Sequence, residues 1–263
     1  MTYQTLELDE PRPGVTVVTL NRPDRHNAMT MTMFAELEHM AETVDDDCRV
    51  LIITGKGQVF CPGYDLADAA ELPRLGALAM LDRQERAARA LLAVRSMRVP
   101  VVAAVNGAAA GGGLALALAA DIRLAAPQAK FNAAFVRIGL SAGDLGTSWL
   151  LTRLIGPAAA SEICFTGRLV HAAEALALGL VNAVSEPGQL TDDALALAQA
   201  ITANSPAGVQ LTKRALQASL ETASYAAALE MENRGQALLT RGADLPEALA
   251  ALSGKRPPAF TGR

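Results

Sequence analysis

The tripeptide Gly111-Gly112-Gly113 stands where a bare backbone can do chemistry. It follows a β-branched run, Val101, Val102 and Val105, that breaks at Asn106-Gly107, and it precedes an apolar helical stretch carrying Leu114, Leu116 and Leu118. The first N–H groups of a helix lack internal partners and lie at the positive end of its dipole, so a site at such a start favours negative charge. Glycine lets the ligand come close to the backbone. Two ligands suit that description, a phosphate and a polarised carbonyl oxygen. A second glycine-bearing stretch, Phe60-Cys61-Pro62-Gly63-Tyr64-Asp65-Leu66, offers another turn of the same kind. Each also has a plain architectural use: residues 111–113 for packing a helix on a strand, Gly63 for a tight turn.

Other reactive side chains point elsewhere. His26, His39 and His171 share no metal-ligand spacing, and Cys48, Cys61 and Cys164 form no CxxC pair, so no metal site is expected. The glycine run GAAAGGG matches neither G-x-G-x-x-G nor a P-loop ending in Lys-Ser or Lys-Thr, so a nucleotide-phosphate cradle fits it poorly.

The elements that must position these groups can be read from periodicity. Val15–Leu20 and 50–54 are short β-branched runs that end in turn residues, as buried strands do. Between them Phe34, Leu37, Met40, Ala41 and Val44 recur at helical spacing behind Thr30, an expected N-cap. Residues 66–96 read as mostly helical with a weak spot at Leu72-Pro73. Residues 122–125 and 130–133 read as strands, followed by a loop and then helices through Thr166, the first over 147–155. Ser205-Pro206 supplies an N-cap and first-turn proline, Asp244 to Glu247 has capping-box spacing, and 223–239 is an amphipathic helix, so the last sixty or so residues read as three helices.

Composition sets the outer bounds. A chain of 263 residues can bury one large core, expected over residues 1–200, with an appended helical region over 201–263. A formal charge of −4 with no long basic run leaves no footprint for nucleic acid. No charge occurs between Arg98 and Asp121, a length that would span a bilayer, but Pro100, Asn106 and the glycines break that stretch and its apolar count is mostly alanine. No membrane span is expected. Three scattered cysteines suit a reducing compartment, and the acidic start MTYQTLELDE lacks the basic and apolar regions of a signal peptide, so a cytoplasmic location is expected.

Three local sequences, in order, resemble the crotonase superfamily, the enoyl-CoA hydratase and isomerase family: Asn21-Arg22-Pro23 to Asn27-Ala28, Phe60 to Leu66, and Asn106-Gly107 to Gly113 with Asp121-Ile122. The resemblance continues through Phe131, Gly139-Leu140, Gly167, Ala172 to Val181 and Lys255-Arg256-Pro257, and so covers nearly the whole chain. It implies an α/β fold, a spiral of β-β-α turns, with a helical C-terminal region used to form a homotrimer or a dimer of trimers. It implies an acyl-CoA substrate and no cofactor beyond the coenzyme A that the substrate carries. The thioester carbonyl would sit between the backbone N–H groups of Tyr64 and Gly112, an arrangement that stabilises an enolate. Gly63, Gly111, Ala28, Asp65 and Leu66 fall at neighbouring family positions, although the carboxylates of Asp65 and Asp121 read equally as turn and framework groups and Glu162 as an exposed helical one. Arg25 stands where relatives place a basic residue against CoA phosphates, and a solvated loop arginine is the plain alternative. Lys255 and Phe260 could reach CoA near a subunit boundary. Phe135 and Trp149 would shape the acyl pocket.

The departures from the family matter more. Hydratases of the family act on water with two glutamates, and the corresponding positions here are Ala115 and Phe135, neither of which exchanges protons. Asp144 falls within one residue of the aspartate that isomerases of the superfamily use to move a proton along an acyl chain. Its alternative is a carboxylate at the start of the helix that follows. Two functions therefore stand open at this point: single-acid proton transfer on an enolate, and acyl-CoA binding without catalysis.

Overall fold

The computed structural model describes residues 2–262, residue 69 by its backbone alone. Parity along the strands explains the layering. In β3 (Val50–Gly55) Leu51 and Ile53 enter one core while Val50 and Ile52 enter another, and β4 (Val101–Val105) divides Val101, Ala103 and Val105 from Val102 and Ala104 in the same way. A strand buried on both faces reads as a continuous apolar run, as these do. With β1 (Leu6–Arg12), β2 (Val15–Leu20), β6 (Ile122–Ala125) and β9 (Ala183–Val184) they form a six-stranded sheet in the order β1-β2-β3-β4-β6-β9, parallel except for the β1–β2 hairpin.

A second sheet of three strands, β5 (Ala108–Ala110), β7 (Lys130–Asn132) and β8 (Leu169–His171), stands beside it. The chain passes from the large sheet to the small one and then into a helix, twice over: β4 to β5 to α4 (Gly112–Ala119), and β6 to β7 to α5 (Thr147–Thr166). These are the expected β-β-α turns. The main core lies between the sheets with α1 (Met31–Thr43), α3 (Ala77–Arg95) and α4, and α7 (Leu190–Thr202) covers the other face of the large sheet through Leu190, Ala194 and Ala198. α6 (Ala172–Ala177) is a short connector, and α8 (Pro206–Ser219), α9 (Tyr225–Leu239) and α10 (Asp244–Ser253) follow.

Several expectations need correction. The stretch from Val105 to Gly112 holds the short strand β5, which three alanines gave no reason to expect. The helix at 147–155 and the one that runs on to Thr166 are as expected, meeting at a kink at Gly156, whose φ of 77° precedes Pro157. Asp244 does not cap α10, whose N-cap is Ala243. Its carboxylate turns inward to accept from Ser205 Oγ at 2.6 Å and from the N–H groups of Thr261 and Gly262, so the capping-box spacing served a tertiary clamp. Thr30 and Ser205 cap α1 and α8 as expected. The arm at 66–96 breaks at its weak spot into α2 (Leu66–Ala69), a turn at Leu72–Arg74, and α3. Among the described residues no helix is long and apolar enough to cross a membrane.

Candidate active site

Two asparagines fix the backbone from which the site is built. Asn27, fully buried with φ +63°, donates from Nδ2 to the carbonyls of Lys56 and Val59 at 3.0 and 2.7 Å and accepts from Arg22 N–H. Asn106 donates to Gly55 and Gly57 carbonyls at 2.8 and 2.9 Å. The loop leaving β3 is held between them, and a side chain on Gly107 would overlap the carbonyl of Gln58. That clamp delivers residues 60–65 to the edge of β5, where Cys61 accepts from Ala110 N–H and donates to the Ala108 carbonyl, both at 3.0 Å. The Cys61 thiol is itself out of play as a nucleophile, since burial pushes it up to about 12.

On the other side Met29 N–H donates to the Gly63 carbonyl at 2.8 Å and the Met29 carbonyl accepts from Asp65 N–H at 2.9 Å. These bonds flank Tyr64 and turn its own N–H away from Met29. Gly63, at φ +99°, has no room for a side chain: its Cβ would lie 2.9 Å from the Ala110 carbonyl and 3.2 Å from Gly112 N. Gly111, at φ +50° and ψ −121°, is the N-cap of α4 and spends its N–H on the Asn132 carbonyl. Gly112 is the first residue of α4. Among the described residues, the N–H groups of Tyr64 and Gly112 have no hydrogen-bond partner. The structure thus brings together Gly63, Tyr64, Gly111 and Gly112, two unspent donors with a helix start behind one of them. Such a pair can hold an oxygen on which negative charge develops.

Asp144 arrives from the loop before α5. Its neighbour Leu145 puts Cδ1 3.5 Å from where a side chain on Gly112 would begin, and the Asp144 charge is close enough to act on the Tyr64 hydroxyl. The carboxylate does not cap α5: the N-cap is Gly146, and only the Asp144 main-chain carbonyl bonds the helix, from Thr147 N–H at 2.8 Å. Instead Gln84 of α3 donates to it from Nε2. Burial raises the Asp144 pKa above the ordinary carboxylate range, and the bonds from Gln84 and the Leu145 backbone oppose that rise. Asp144, Leu145, Trp149, Leu91 and Leu92 border a mostly apolar cavity of about 640 Å³ between α3 and α5.

The remaining expected residues divide. Asp65 is committed to structure: it caps α2 through Ala67 N–H at 3.1 Å and pairs with Arg22 at 2.9 Å, and these hold its carboxyl below the usual range. Arg22 also donates to the Ala28 carbonyl at 2.6 Å. Arg25, exposed at the end of the turn Pro23–Arg25, lies near enough to favour the Asp65 carboxylate and has no ion-pair partner among the described residues. Leu66 is 77% exposed beside it. Ala115 is buried in α4, and Phe135 is buried with its ring 3.8 Å from a side chain built on Gly111. Trp149 borders the cavity, its ring under the Arg153 guanidinium at 3.7 Å. Lys255 and Phe260 do not join this cluster within one chain. Their tail is fastened by Asp244 near the start of α8, which packs at the amino ends of the strands, whereas the site lies beyond their carboxyl ends. Asp121 is framework, paired with Lys213 at 2.8 Å and accepting from Val101 N–H.

Sequence reasoning missed Gln84 and Arg83. Arg83 donates to Tyr64 Oη at 2.8 Å and stacks 5.2 Å from its ring, fixing the residue that carries one of the free N–H groups. Both lie one residue apart on α3, and only the fold shows that this face meets the site.

A sequence model of the family described as enoyl-CoA hydratase/isomerase matches residues 10–263. A Mycobacterium tuberculosis protein named "Probable enoyl-CoA hydratase EchA12" is 41% identical over 99% of this chain and 94% of its own. The 1,2-epoxyphenylacetyl-CoA isomerase of Escherichia coli is 38% identical over 97% of this chain and 98% of its own. The crystal structure of an enoyl-CoA hydratase from Bacillus anthracis superposes with a TM-score of 0.94 at 31% identity, over 99% of this chain and all of that one.

Proposed function

We propose a reaction from one premise: the chain belongs to the enoyl-CoA hydratase/isomerase family and acts on CoA thioesters. The thioester oxygen accepts from Tyr64 N–H and Gly112 N–H, which lowers the energy of the enolate formed when a proton leaves the adjacent carbon. Asp144 takes that proton as a carboxylate and returns it as an acid to another carbon of the acyl group. A double-bond shift needs no more than this. Hydration needs a second group to activate water, and the two positions where the resemblance would put it hold alanine and phenylalanine.

The observation that carries the reading is a pair of unspent N–H groups, at Tyr64 and Gly112, with a desolvated carboxylate near them: the Asp144 charge is felt by Tyr64, Leu145 packs against Gly112, and Asp144 itself borders an apolar cavity. That a 38% identical relative is named an isomerase supports it. Arg25 is proposed to meet the CoA phosphates, and the assembly is proposed to be a homotrimer or a dimer of trimers. Acyl-CoA binding without catalysis is the second reading, favoured by buried Ala115 and Phe135.

Incubation of 3-hexenoyl-CoA and crotonyl-CoA with the protein in heavy water, read by mass spectrometry, tests the proposal. Deuterium entering 3-hexenoyl-CoA as it shifts to the 2-isomer, with little water added to crotonyl-CoA, is expected. Rapid hydration, near the median enzyme turnover of about 10 per second, would contradict it. Tight binding with no exchange would support the second reading.

A further inference from the structure

Arg95 ends α3 and borders the cavity with Trp149, Leu92 and Ala119. Its guanidinium lies 5.4 Å from the Trp149 ring centre. Arg89, the other arginine on the cavity wall, is answered by Glu38 at 3.5 Å. Arg95 is not answered: among the described residues its guanidinium has neither a carboxylate within ion-pair distance nor a hydrogen-bond acceptor, and its Nη2 is buried without a partner. A cation drawn partly out of water without a counter-charge is unfavourable, and an anion reaching it would relieve the cost.

Its surroundings deepen the imbalance. Arg123 and Lys213 lie close enough to sense it. Burial is the main cause that lowers both, Arg123 to about 10, and the Arg95 charge adds to it in each. The nearby Asp121 is taken by Lys213 at 2.8 Å. The acids on the cavity wall, Glu85 and Asp144, belong to its other end, where Gln84 holds Asp144. Gln84 and Arg95 are eleven residues apart on one helix, about 16 Å at 1.5 Å per residue. The arginine side chain leans back toward the helix start and shortens that gap. The cavity therefore has an acid at the reacting end, apolar walls between, and an unpaired guanidinium at the far end.

We infer that the acyl groups this protein prefers end in a carboxylate, so that its substrates are CoA monothioesters of medium-length dicarboxylic acids with the free carboxylate on Arg95. A planar guanidinium suits a carboxylate through two parallel hydrogen bonds. The inference rests on the reading of this cavity as the acyl site.

Calorimetry with matched pairs tests it: adipyl-CoA against hexanoyl-CoA, and suberyl-CoA against octanoyl-CoA. At least one dicarboxylic member should bind about tenfold tighter than its partner, the size expected of a charged hydrogen bond. Arg95→Met should abolish or reverse that ratio, and Arg95→Lys should keep part of it. The ratio in the unaltered protein should also fall with added salt, a readout that needs no variant to fold. Equal affinities within both pairs, or a ratio unchanged in a folded Arg95→Met protein, would overturn the inference and leave acyl-CoA binding intact. Failure of all four thioesters to bind would overturn the acyl-site reading, and this inference with it.

Discussion

Asp144 carries opposite demands. Its folded pKa lies above that of the unfolded chain because burial disfavours the anion, so the contribution to stability is full below the unfolded carboxylate pKa and is lost as pH rises through the folded value. As pH rises above the unfolded carboxylate value, the buried group increasingly burdens the fold. Asp144→Asn should therefore melt at or above the temperature of the unaltered protein at pH 7, with the difference closing toward pH 4; thermal melts across that range check it, and a lower melting temperature at pH 7 would contradict it. Proton exchange needs the anion, so its acid limb should lie above the ordinary carboxylate range. Gln84 favours the anion by donating to it, so Gln84→Leu should move that limb to higher pH, and a pH profile that stays in place would assign Gln84 to packing alone. Asp144 was legible because its motif resembles a known one. Gln84 was not, because sixty residues separate it from Asp144 and an isolated glutamine on a helix carries no signal of where that helix will dock.

At the scale of elements, the site depends on backbone held in place by side chains that never touch a ligand. Removing Asn27 leaves the Lys56 and Val59 carbonyls without their donor, and alanine tolerates φ +63° poorly. Asn27→Ala should lose about 2–4 kcal/mol in urea unfolding, the sum of unsatisfied buried acceptors and left-handed backbone. The helix start offers a cleaner separation. Gly112→Ala keeps the N–H and asks only the Met29 thioether, 3.0 Å from the new Cβ, to give way, whereas Gly112→Pro removes the donor at a first-turn position where proline is otherwise accepted. Exchange activity should survive largely in the alanine variant and fall about 10²–10³-fold in the proline one; equal activity in two folded variants would remove Gly112 N–H from the account. The strands with β-branched alternation and the capped helices α1 and α8 were readable from the sequence. β5 was not, since Ala108 to Ala110 has no strand propensity and is a strand only because Cys61 and β7 pair with it. Asp244 misled for a related reason: a capping residue and a tertiary clamp look alike until the tail folds back.

At the scale of the molecule, α9 has no buried residue and shows Tyr225 (79% exposed), Leu229 and Leu238 to its surroundings. Exposed apolar side chains of that kind suit the proposed trimer, and sedimentation equilibrium should return three or six chain masses; a single-chain mass would contradict the assembly and with it any role for Lys255 and Phe260 across a boundary. The overall architecture was legible because three ordered motifs resemble those of a family whose fold is a spiral of β-β-α turns. The specificity was not, because it depends on which face of α3 looks into the cavity. One carboxylate and two backbone donors are proposed to suffice for enolate chemistry on an acyl-CoA. Deuterium incorporation at the carbon beside the thioester, compared between the unaltered protein and Asp144→Asn at equal acyl-CoA occupancy, tests it most directly. Exchange in the first and its loss in the second, with binding retained, is expected, and equal exchange in both would contradict the role given to Asp144.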